Sequence, residues 1–95
     1  MQKKSAPHLY KLVCLSKEKA LFDGMVQTLT APGEMGYFQV LAQHAPMIAL
    51  LKAGPLTFVD SESHSHSHQI SGGILEVARG EVTVLVDSLI RDSTP

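Results

Sequence analysis

Apolar and polar residues alternate over short runs in this chain, and nowhere do they recur at the spacing of an amphipathic helix. Runs rich in Val, Leu, Ile, Phe and Thr predict strands over residues 9–15, 25–30, 37–41, 48–51, 56–59, 69–71, 74–77 and 82–87. In the last of these, Val82, Val84 and Val86 share one face, and Thr83, Leu85 and Asp87 share the other. Both faces are partly apolar, so this strand belongs between two packed layers or beneath an interface. That favours a sandwich over a single sheet with one wet face. Asp23-Gly24, Pro32-Gly33, Gly54-Pro55, Gly72-Gly73 and Arg79-Gly80-Glu81 punctuate the runs as expected turns, the last as a tight hairpin. Residues 16–22 hold one turn's worth of helix formers behind Ser16 as a possible cap, too few to stand alone as a helix. The expected fold class is all-β, a single-domain β-sandwich.

Length and charge narrow the functions. The 95 residues suit one domain over 1–95, with an ordered part of about 8–91, and most of the 44% apolar residues are needed for its core. Eight Lys and Arg against nine Asp and Glu give a net charge of -1, which removes the basic footprint of a nucleic-acid or polybasic membrane-surface protein. The longest uncharged apolar stretch, 45–51, contains a proline and is too short to span a bilayer. No apolar run follows the charged start, so no signal peptide is expected. Cys14 is the one cysteine, flanked by Val13 and Leu15, and reads as a small apolar strand residue in a cytoplasmic protein.

Three features could carry chemistry. His64, His66 and His68 alternate with serines; in an extended strand they would share a face and offer imidazoles to zinc, nickel or copper. Their position between two strand-like runs predicts instead a solvated hairpin loop, with metal binding weak at best. Cys14 and His44 could be imagined as nucleophile and base, but nothing local would depress the thiol pKa, and no phosphate-cradling or hydrolase motif is present. No catalytic residues, cofactor or enzyme activity are expected. His44-Ala45-Pro46 reads as a rigid corner with a hydrogen-bonded imidazole that delivers the chain into a strand.

Several segments in this order resemble the ε subunit of bacterial F-type ATP synthase, called δ in mitochondria. They are Leu21-Phe22-Asp23-Gly24, Gly33-Glu34-Met35-Gly36, His44-Ala45-Pro46-Met47, Leu51-Lys52-Ala53-Gly54, Ser71-Gly72-Gly73-Ile74-Leu75-Glu76-Val77 and Val82-Thr83-Val84-Leu85-Val86-Asp87-Ser88-Leu89-Ile90-Arg91. The resemblance covers nearly the whole chain. It implies a β-sandwich of about ten short strands. It also implies a non-catalytic central-stalk subunit that couples the γ shaft to the c-subunit ring for proton- or sodium-driven ATP synthesis or hydrolysis. Such a subunit lies on the cytoplasmic side of the bacterial plasma membrane, peripheral, as part of the complex. Carried over residue by residue, the γ-facing surface includes Ser16, His44 and Ser71, and the ring-facing loop holds Glu34 and Met35. Residues 37–43 form a longer stretch than in many members, and its apolar content predicts a strand extension. Typical members continue into a C-terminal helical hairpin that binds ATP in some species and can inhibit. A chain ending at Pro95 is expected to couple without binding ATP or arresting hydrolysis.

Overall fold

The computed structural model describes residues 8–88. These form six strands: β1 (Tyr10–Leu15), β2 (Ala20–Gly33), β3 (Gly36–Val40), β4 (Met47–Asp60), β5 (Ser65–Ala78) and β6 (Glu81–Val86). The sheet order is β1-β6-β5-β4-β2-β3, and a further antiparallel pairing of β1 with β2 closes the circuit around the core. β1 and β6 run parallel, Leu12 beside Val82 and Cys14 beside Val84, and all four side chains are buried. The all-β sandwich is therefore present, closed into a flattened barrel.

The strands are fewer and longer than the expected ten or so, because tertiary pairing carries the chain straight through its glycines. Asp23-Gly24, Gly54-Pro55 and Gly72-Gly73 lie inside β2, β4 and β5 and are not turns. Only Arg79-Gly80 makes the expected hairpin, with φ of 54° and 76° between β5 and β6. Residues 16–22 contain no helix. Ser16 instead exchanges hydrogen bonds with Lys19 across a short loop, its Oγ donating to the Lys19 carbonyl at 3.1 Å, and Ala20 starts β2. The strand expected over residues 37–43 forms only in part: β3 spans Gly36–Val40, and residues 41–43 leave the sheet in a turn with Gln43 at a φ of 66°. The expected end of the ordered part near residue 91 lies outside the described residues, as do Leu89, Ile90 and Arg91.

The interior glycines have a different use. Leu51 and Leu56 are both buried, as are Ile70 and Leu75, yet each pair is an odd number of residues apart. Alternation along an unbroken strand would send one of each pair outward. The β4–β5 register nevertheless runs without a shift from Met47 opposite Val77 to Val59 opposite Ser65. Both strands roll over together at Gly54 (φ 153°) and Gly72 (φ 147°), a conformation that favours glycine. One half of the ribbon thus faces the core from one layer and the other half from the opposite layer, as when strands turn a sandwich corner. Phe58, Leu56 and Ile70 fill the core from one half, and Leu51, Leu75 and Val77 from the other. Burying each of these apolar side chains contributes about 1.5–3 kcal/mol. Tyr10, also buried, donates its hydroxyl to the Val40 carbonyl at 2.6 Å and ties the end of β3 to β1. Burial pushes its phenol pKa well above the ordinary range.

Candidate functional site

After the roll-over, the outward residues of four strands come into line. Leu50 of β4 lies opposite Ile74 of β5, Ile74 opposite Leu85 of β6, and Leu85 beside Leu15 of β1. Leu50, Ile74 and Leu85 are 53%, 44% and 49% exposed, and Ile48, next along the same face of β4, is 71% exposed. Strands spaced about 4.8 Å apart make this row roughly 14 Å wide. A contiguous exposed apolar patch on a small soluble domain marks a surface that another molecule covers.

The polar residues singled out in the sequence border this row. Ser16 follows Leu15 at the end of β1, its Oγ and amide engaged with the Lys19 carbonyl. Ser71 lies on β5 before the roll-over; its Oγ is 2.9 Å from Ser88 Oγ, and its amide donates to the Ser88 carbonyl at 3.0 Å. Because β1 and β6 are parallel, Ser16 beyond Leu15 and the Ser71–Ser88 pair beyond Leu85 fall on one margin of the row. His44, exposed in the loop before β4, falls on the opposite margin. Its Nδ1–H donates to the Ala45 carbonyl at 2.7 Å. The corner with a hydrogen-bonded imidazole is thus present. Glu34 and Met35 form the turn between β2 and β3. The Glu34 amide donates to the Leu50 carbonyl at 3.1 Å, which pins this turn beside the row, and Met35 is 100% exposed. A groove of about 470 Å³ separates the turn from the start of β4.

Sequence reasoning missed Ile48, Leu50 and Ile74. The signal that finds them is the one read in residues 82–87: an outward-facing Leu85 in a strand apolar on both sides, repeated at the same parity in β4 and β5.

Two other candidates resolve differently. The histidine run is not a solvated loop. Pairing continues to the tip of the β4–β5 ribbon and takes His66 and His68 into β5, while His64 stays in the turn with its side chain 71% exposed. His66 stacks on Phe58 at 4.7 Å between centroids, meets Phe22 edge-on, and places Nε2 2.8 Å from Asp60 Oδ2. Asp60 also accepts the Glu62 and His64 amides, and with these partners, His66 first, its carboxyl is lowered to about 2. Burial lowers the pKa of His68, with the His66 and Lys19 charges adding to the effect. Among the described residues no three metal-binding side chains converge, and the metal reading of His64, His66 and His68 has no support here. Cys14 is fully buried in β1, where desolvation raises its thiol to about 11. A protonated interior thiol and a surface imidazole at His44 do not make a nucleophile and base.

Comparison with known proteins agrees on one family. A family model described as the ATP synthase delta/epsilon chain, β-sandwich domain, matches residues 9–92. The ATP synthase epsilon chain of Protochlamydia amoebophila is 38% identical over 81 residues, covering 85% of this chain and 55% of that protein. The chain therefore spans little more than half the length of this curated relative. A chain in the OSCP/F1/c-ring structure of the Euglena gracilis mitochondrial ATP synthase superposes with a TM-score of 0.81 at 21% identity, covering 94% of this chain and 57% of that one. A chain in the central stalk/c-ring structure of the Tetrahymena thermophila mitochondrial ATP synthase gives 0.73 at 17% identity, covering 90% and 69%. At these identities the two structures share the fold.

Proposed function

The chain belongs to the ATP synthase delta/epsilon family through its β-sandwich domain, and from that membership we propose that it is a non-catalytic rotor part joining the γ subunit to the c ring. The observation that carries this reading is the row of Leu15, Leu85, Ile74 and Leu50 bordered by polar residues. An apolar centre with a polar rim is how protein interfaces are built. In this reading the row packs on γ, with Ser16 and Ser71 at one rim and His44 at the other. Glu34 and Met35, on the projecting β2–β3 turn, face the polar loops of the c ring. Residues 1–95 act as one sandwich unit, without a cofactor and without catalytic residues; nucleotide chemistry lies on other subunits. The complex holds the chain on the cytoplasmic side of a bacterial plasma membrane, where proton or sodium flow drives rotation.

Reconstitution tests the proposal. The chain is added to an ATP synthase depleted of its corresponding subunit, and ATP hydrolysis and ion pumping are measured together. Restored pumping coupled to hydrolysis supports it. Hydrolysis that stays uncoupled at saturating chain contradicts it.

A further inference from the structure

The start of β4 has a strand on one side only. Gly33 of β2 pairs with Leu51 and the Glu34 amide donates to the Leu50 carbonyl, whereas Met47, Ile48 and Ala49 pair with β5 alone. On their other side β2 has already turned away through Glu34 and Met35 into β3, and the groove of about 470 Å³ occupies the space where the next strand would lie. All four consecutive residues from Met47 to Leu50 line that groove. A groove over one face of a strand would be lined by alternate residues, so this one is approached along the strand's edge. A bare strand edge invites pairing, and soluble proteins protect such edges with charge, proline or cover. Here the edge is apolar instead, with Ile48 71% and Tyr37 57% exposed at its walls.

We propose that this edge receives an extended segment of another protein chain, which adds as a strand beside Met47, Ile48 and Ala49. Three residues of edge offer about 10 Å of ladder. The segment presents apolar side chains toward Ile48, Tyr37 and Phe38. Among the described residues Glu34 is the one charged side chain lining the groove, which selects a segment carrying a Lys or Arg at the end nearest the β2–β3 turn. Backbone pairing supplies affinity and the flanking pockets supply selectivity, as in other cases of strand addition. The inference rests on the reading that this chain docks on partner subunits, but it uses the edge of β4 and not the outward face of the row; Leu50 belongs to both, and Leu85, Ile74 and Leu15 lie outside the groove.

The test needs no partner subunit. The isotope-labelled chain is titrated with a short capped peptide of valine and leucine ending in lysine, with its counterpart methylated at alternate backbone nitrogens, and with a version ending in glutamate, while amide shifts are recorded. Saturable shifts confined to residues 33–38 and 47–50 are expected with the first peptide. They should vanish with the methylated one and weaken several-fold with the glutamate version, and Glu34→Gln should abolish that charge preference. Absence of saturable shifts, shifts scattered over the surface, or an equal response to the methylated peptide would overturn the proposal. Such a failure leaves docking through the apolar row untouched, because that surface is tested separately by Leu85→Glu against γ.

Discussion

His66 Nε2 lies 2.8 Å from Asp60 Oδ2, and this contact joins the two strands of the β4–β5 ribbon at its tip. A serine-histidine repeat that looks like a ligand set in the sequence is here a structural clasp. The His66 ring is held flat on Phe58, with an interplanar angle of 9°, and its ring nitrogen is committed to a carboxylate.

That clasp sets the acid response of the fold. The Asp60 carboxyl is lowered to about 2 from an ordinary value of 3.8, so its contribution to stability is complete above the ordinary value and is lost as pH falls toward 2. His68 is lowered by burial, so the unfolded chain takes up its proton first, and stability also declines as pH drops below the ordinary imidazole value of 6.5. Urea unfolding across a pH series is expected to show both declines. Asp60→Asn should flatten the lower one and His68→Gln the upper one. A parent chain of constant stability from pH 7 to pH 2 would contradict this account.

Gly73 carries a steric prediction. A Cβ built there falls on the Leu85 carbonyl oxygen and within 3.0 Å of Val86 Cα, both backbone atoms that cannot swing aside. Gly73→Ala is expected to destabilise the chain by about 1–3 kcal/mol, as overpacking does. Chemical denaturation measures it, and an unchanged midpoint would show that β6 does not press on β5 this closely.

Cys14 should be inert while the chain is folded. Its side chain is buried and its thiol raised to about 11, so little thiolate exists at neutral pH and none of it is reachable. Iodoacetamide is expected to label it only under denaturing conditions, with rates that follow global unfolding. Rapid native-state labelling would reopen the pairing of Cys14 with a surface base.

Much of the architecture was legible because alternation is local. The inward valines of β6, the buried Cys14 of β1 and the Arg79-Gly80 hairpin all follow from neighbouring residues. What was not legible depends on pairing across the chain. Gly54 and Gly72 read as turns on their own. Only their place in one continuous ribbon, with Lys52 opposite Gly72 and Gly54 opposite Ile70, makes them the point where both strands change layers. The same roll-over turns Leu50 and Ile74 outward beside Leu85, so the row could not be assembled from any single strand. His66 was misplaced for a related reason: its partners Phe22, Phe58 and Asp60 lie on two other strands. By contrast, the polar rim residues Ser16, His44 and Ser71 came from resemblance to a family, and geometry alone would not have selected them.

The row of Leu15, Leu85, Ile74 and Leu50 as the γ-docking face is the central claim, and co-purification tests it most directly. Tagged parent chain, Leu85→Glu and a control, Gln69→Glu, exposed on the other half of β5, are each expressed with the γ subunit of the same organism, and the γ retained per folded chain is measured. A carboxylate at the centre of an apolar interface is buried without a partner, so Leu85→Glu is expected to lose at least tenfold in retained γ. Gln69→Glu should match the parent, and all three should show the same far-ultraviolet circular dichroism. Equal retention by folded Leu85→Glu and parent would contradict the account.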